Sequence, residues 1–115
     1  MVSEEQRNRR RLEHIVKSCC RIISFVEGME LKDFLSSRKT QDAVIYQLII
    51  AGEAVVNIDN DVLEKYDYPW FKVRAFRNYA AHQYFDIEIW TVWEIAYKEV
   101  PELLEIVRLI LQNEF

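Results

Sequence analysis

The 115-residue chain has little of what punctuates a fold: two glycines and two prolines in all. That scarcity suits long helices and disfavours a β architecture with many turns. Its two cysteines, Cys19 and Cys20, are adjacent, so they cannot staple the fold and have no zinc-ligand spacing. About 100° apart on a helix, they read as packing residues, one toward the core and one at its edge. No apolar run approaches the ~20 residues that span a bilayer. Met1 to Arg11 carries mixed charge without a hydrophobic centre, which is not the pattern of a signal peptide, and a cytoplasmic location is expected. Positive charge is also lacking. A net charge of -4 argues against a whole-protein field for nucleic acid, so RNA or DNA contact must rest on a local basic patch.

Half of the residues are hydrophobic and 30% charged, a globular composition. A chain of this length buries roughly two thirds of its unfolded surface, enough for one domain over 1–115. The expected fold is all-α, an up-and-down bundle of four to five helices. Leu12, Ile15, Val16, Cys19, Ile22, Ile23 and Val26 recur at three and four residues, which predicts a first helix from about Glu4 to Glu27. Arg7, Arg9, Arg10, Arg11, Lys17 and Arg21 cover the rest of it, either as a solvated face or as a contact for nucleic acid or a partner. Gly28 to Lys39 reads as a connection with Phe34 and Leu35 tucked against the core.

Thr40 can cap a second helix to about Ile58. Apolar residues wrap most of its circumference, which places it centrally or in a dimer interface. Gly52 interrupts that surface, and close packing of another backbone would compensate for a helical glycine. Glu53, among apolar residues, is either a surface carboxylate or an acid supporting a site. After a polar stretch with one short turn around Val62 and Leu63, Pro69 suits the start of a third helix. Asp86 can cap a fourth to about Lys98, and Pro101 can open a fifth with Leu103, Leu104, Val107 and Ile110 on its core face. The aromatic set Trp70, Phe71, Phe76, Phe85, Trp90 and Trp93 reads as core.

The third helix carries Arg77-Asn78-Tyr79-Ala80-Ala81-His82-Gln83-Tyr84, an Arg-x4-His-x-Tyr pattern. It gathers a permanent cation, one of two histidines, a carboxamide and two phenols, the groups that grip a phosphate and move a proton beside it. Arg74, Asn78 and His82 fall at i+4 spacing on one polar stripe, with Val73, Phe76 and Ala80 on the opposite side. Arg77 lies about 140° from His82, so either its side chain wraps round or the chain bends near Ala81. Histidine can exchange a proton near neutral pH, and arginine can hold a phosphate through two hydrogen bonds and stabilise added charge. RNA brings its own nucleophile, the 2′-hydroxyl, so neither metal nor cofactor is required. Strand cleavage wants a second proton-transfer group, which a two-fold dimer would supply. The plainer reading is a solvated helix face with Tyr84 at the core edge. His14, amid apolar positions, reads as packed or on the surface.

The run Val73 to Asp86 resembles the signature of HepT-like proteins of the HEPN superfamily. Asp42-Ala43-Val44, Gly52-Glu53-Ala54, Pro69-Trp70, Ile89-Trp90 and Val100-Pro101 match as well, so the likeness covers nearly the whole chain. It departs at Gln83, where relatives are often acidic, and at Ala75, where glycine is common. The resemblance implies a homodimer whose two motifs face a shared cleft. It also implies a metal-independent endoribonuclease, the toxin of a toxin–antitoxin pair. The partner it implies is a minimal nucleotidyltransferase antitoxin that can transfer AMP to the motif tyrosine, here Tyr84. Arg77 and His82 would then be catalytic, Asn78 would position groups and Tyr84 would stand at the edge of the site; Arg74, on the polar stripe, and Glu53 are the further candidates for support. The competing expectation is a non-catalytic helical module that binds a nucleotide or the nucleotidyltransferase.

Overall fold

The computed structural model describes residues 2–83 and 86–115. Helix α1 (Glu4–Val26) opens on a capping box: the Ser3 hydroxyl accepts from the Gln6 amide at 3.1 Å, and the Ser3 amide donates to Gln6 Oε1 at 3.0 Å. It ends just before Gly28, whose φ of +77° is the left-handed turn that glycine adopts without penalty. Along α1 the predicted stripe is the buried one, with Cys19 inside and Cys20 exposed. Burial pushes the Cys19 thiol up to about 12, which keeps it neutral as a packing residue.

A short helix, α2 (Leu31–Leu35), interrupts the expected connection. Phe34 is fully buried with its ring centroid 5.4 Å from that of Trp93, whereas Leu35 is exposed, against expectation. The reason is α2 itself, which turns the two side chains about 100° apart. Gln41 Nε2 then donates to the carbonyls of Phe34 (2.9 Å) and Leu35 (3.1 Å), satisfying the end of the helix. Helix α3 (Arg38–Val56) starts earlier than predicted. Its cap is Ser37, whose hydroxyl accepts from the Thr40 amide at 3.2 Å, so Thr40 lies inside the first turn.

Helix α3 packs against α1 on one side and against α5 (Trp70–His82) on the other, which accounts for its broad apolar circumference. Between α3 and α5 lies α4 (Asn60–Leu63), the short turn expected around Val62 and Leu63. The Trp70 indole donates to the Leu63 carbonyl at 3.0 Å. Lys65 Nζ and the Tyr66 hydroxyl each donate to Glu114 at 2.9 Å, so the segment before α5 is tied to the far end of the chain.

Two predicted helices form one run. Helix α6 (Ile89–Glu94) continues through a π-helical turn (Ile95–Glu99) into α7 (Val100–Glu114). The Val100 amide donates to the Ile95 carbonyl, five residues back, so the ladder widens just where Pro101 brings a ring and no N–H. Asp86 does not cap α6, which begins three residues later; its carbonyl instead accepts from the Tyr79 hydroxyl at 2.8 Å. Helix α7 packs on α1. The core therefore unites Leu12, Ile15 and Ile22 with Val44, Val55, Val100, Val107 and Ile110, all fully buried.

The aromatic expectation divides. Trp70 and Trp93 are buried and Phe76 is half-buried, but Phe71 and Trp90 are exposed, each pointing away on a helix that buries its other side. Phe85 lies outside the described residues. The all-α bundle is as expected; among the described residues no strand forms, and no helix is long and apolar enough to cross a membrane.

Candidate functional site

Helix α5 is placed by its buried side. Trp70 and Ala80 are buried, and Val73 and Phe76 pack against the core, as the spacing predicts. The opposite side carries Arg74, Asn78 and His82, while Arg77 stands at the edge that meets α3. The helix runs unbroken through His82, and the Gln83 amide closes its last turn on the Tyr79 carbonyl at 2.8 Å. A bend before His82 is thereby ruled out. Tyr84 lies outside the described residues.

Gly52 decides how close α5 comes to α3. A Cβ built there would stand 2.5 Å from Arg77 Cβ and 3.3 Å from the Val73 carbonyl oxygen. Only a glycine lets the two helices meet at this point, the close approach expected of a mid-helix glycine. One residue on, Glu53 is exposed but not idle. Its Oε2 accepts from Arg77 Nε at 2.8 Å and lies 2.6 Å from Nη2. Arg77 Nη1 donates to Asn78 Oδ1 at 2.9 Å. The guanidinium is thus fixed from both sides, with N–H donors on Nη1 and Nη2 left over for an anion.

The contacts continue beyond this pair. Asn57 Nδ2 donates to the Glu53 carbonyl at 2.9 Å and approaches Oε1 at 3.4 Å, while Arg11 donates to the Asn57 carbonyl. A single polar chain, Asn78–Arg77–Glu53–Asn57–Arg11, therefore joins α5 to α1 across the end of α3. Arg7, Arg10, Arg11 and His14 line an open groove between α1 and α3 that also contains Glu53. His14 is exposed there.

Of the predicted site residues, Arg77, Asn78 and Glu53 come together. Arg74 turns away and donates to Asn60 Oδ1 at 2.9 Å. His82 is exposed on the last turn of α5, around the helix from Arg77. The Glu53–Arg77 pair and its extension to Asn57 and Arg11 were not predicted. The available signal was Gly52-Glu53 itself, a polar interruption in an apolar helix. Among the described residues, no group of three or more His, Cys, Asp and Glu is arranged to hold a metal ion.

Comparison with known proteins gives this arrangement a context. Residues 15–110 match the family model described as ribonuclease HepT-like. A protein of Caldanaerobacter subterraneus subsp. tengcongensis named "Putative RNase" is 36% identical over 104 residues, covering 90% of this chain and 93% of that one. A Methanocaldococcus jannaschii protein with the same name is 39% identical over 83 residues, 71% of this chain and 69% of its own. A Thermococcus cleftensis protein named "Probable ribonuclease HepT" is 34% identical over 93 residues, 80% of this chain and 84% of its own. No solved structure matches the chain significantly. With the family model spanning most of its length, the chain belongs to the ribonuclease HepT-like family.

Proposed function

We propose that the protein is a metal-independent endoribonuclease that cleaves RNA through Arg77 and His82. The observation that carries this reading is the fixed guanidinium, held 2.6 Å from Glu53 and 2.9 Å from Asn78 on the helix whose last turn presents His82. Holding the cation in advance saves reorganisation when charge develops on the phosphate. The 2′-hydroxyl oxygen attacks phosphorus and gives up its proton, the bond to the 5′-oxygen breaks, and that oxygen is protonated as it leaves. The products are a 2′,3′-cyclic phosphate and a 5′-hydroxyl. Arg77 stabilises the phosphorane-like charge and His82 exchanges protons, while Asn78 and Glu53 position Arg77. Arg74 supports the start of α5 through Asn60.

Because one histidine does not readily serve as both base and acid, the working form is a homodimer with the two motifs facing one RNA cleft. The names carried by the relatives support the ribonuclease reading. In this reading one domain acts in the cytoplasm as the toxin of a toxin–antitoxin pair, restrained by a minimal nucleotidyltransferase. That partner transfers AMP to the Tyr84 hydroxyl, placing a phosphate's negative charge beside the cations that would hold RNA.

The test is cleavage of RNA by the purified chain in EDTA, with the new ends identified. Products ending in 2′,3′-cyclic phosphate are expected; cleavage that EDTA abolishes, or 3′-hydroxyl ends, would overturn the mechanism. Coexpression with the nucleotidyltransferase should add the mass of AMP to the Tyr84 peptide and silence cleavage together.

A further inference from the structure

A second concentration of positive charge lies on α1. Arg7, Arg10, Arg11 and His14 are spaced three, one and three residues apart on α1, a single helical stripe about 10 Å long at 1.5 Å per residue. Across the groove stand Ile49, Ile50 and Glu53 of α3 and Asn57 just after it. Tyr46, 63% exposed, stands on that same face one turn earlier. The orientation of α1 is fixed by a buried residue. Asn8 Nδ2 donates to Asp59 Oδ2 at 3.1 Å, and the Asp59 amide donates to Asn8 Oδ1 at 3.2 Å, which locks α1 to the turn after α3 with its basic stripe facing the groove.

The charge balance of this groove runs against that of the whole chain, whose net charge is -4. Its one acidic lining residue, Glu53, is already paired with Arg77. Arg10 is exposed and pairs with no carboxylate among the described residues. Arg7 and Arg11 have Asp59 nearby, so the uncompensated guanidinium of this wall is that of Arg10; a partly apolar wall stands opposite, with the Arg77 centre at the groove's edge.

We propose that this α1–α3 groove binds the sugar-phosphate backbone of a single-stranded RNA segment leading to the phosphate at Arg77. It rests on the ribonuclease reading only for the identity of that last phosphate. Guanidinium groups suit phosphate oxygens, and a basic groove beside a partly apolar wall suits a single strand, whose base faces are free to pack.

The experiment titrates a labelled single-stranded RNA onto the full chain carrying His82→Ala, which slows turnover, and follows fluorescence anisotropy at several salt concentrations. Arg10→Gln is compared with Arg9→Gln. Both remove one charge, but Arg9 points away from the groove, 4.0 Å from Glu13. Arg10→Gln should weaken binding several-fold and lower the slope of log K against log salt by about 0.7, the value for one phosphate contact on a single strand. Arg9→Gln should bind as its parent does. Equal effects of the two substitutions, no effect of Arg10→Gln, no RNA binding by the parent, or loss of a protein partner with RNA binding intact would each overturn the proposal. A chain that binds through Arg10 but never cuts leaves the groove standing and removes the ribonuclease reading. A chain that cuts while Arg10→Gln binds unchanged does the reverse.

Discussion

Replacing Arg77 by alanine is expected to slow RNA cleavage about 10²–10³-fold, the usual cost of losing one oriented group that stabilises transition-state charge. The fold should survive, because Arg77 and Glu53 both lie at the surface, with side-chain exposures of 32% and 53%. Exposed ion pairs contribute little to stability, about 0–1 kcal/mol. The loss should therefore appear in the single-turnover rate, with the thermal midpoint nearly unchanged. Glu53→Gln gives an internal comparison. It keeps an oxygen that can accept from Arg77 Nε but removes the charge, so its rate should fall between those of the parent and Arg77→Ala. Parent-like cleavage by Arg77→Ala would remove the arginine from the mechanism.

The second large effect is expected at Gly52. In an unobstructed helix, exchanging glycine for a residue with a side chain gains up to about 1 kcal/mol. Here the added Cβ would lie 2.5 Å from Arg77 Cβ and 3.3 Å from the Val73 carbonyl. Neither is the far end of a flexible side chain, so α5 must shift away from α3. Overpacking of this kind costs about 1–3 kcal/mol, and Gly52→Val adds bulk beyond the Cβ. The urea midpoint should fall with little change in slope. Cleavage should fall with it, because the same shift draws Arg77 off Glu53. Gly52→Ala should show the same effects in smaller measure. A Gly52→Val chain as stable as its parent would mean that the two helices can separate freely, and that their close approach does not position Arg77.

What could be read from the sequence was what short-range periodicity encodes. The extent of α1, the buried side of α5 and the meaning of Gly52 follow from spacing and from the cost of a helical glycine. Signals that depend on neighbours are less legible. Pro101 stands in the first turn of α7, as its signal suggests, yet no break precedes it, because a π turn over Ile95–Glu99 joins α7 to α6. Thr40 and Ser37 are comparable caps; the structure selects Ser37, with Gln41 turned inward to satisfy α2. The polar chain from Asn78 to Arg11 was hidden because its members come from three helices far apart in sequence. Glu53 was visible as an anomaly, but its partner lies 24 residues away. Leu35, Phe71 and Trp90 show the opposite error, since hydrophobic character alone does not say which way a helix turns a side chain.

RNA cleavage in EDTA by the parent chain and by His82→Ala, purified in parallel from the same host, tests most directly whether His82 moves the protons. The parent is expected to cut and His82→Ala to be slower by about 10²–10⁴-fold, the range for loss of a proton-transfer group, with its helical content intact. Cleavage by His82→Ala at the parent's rate would contradict that role and assign the activity to another residue or another protein.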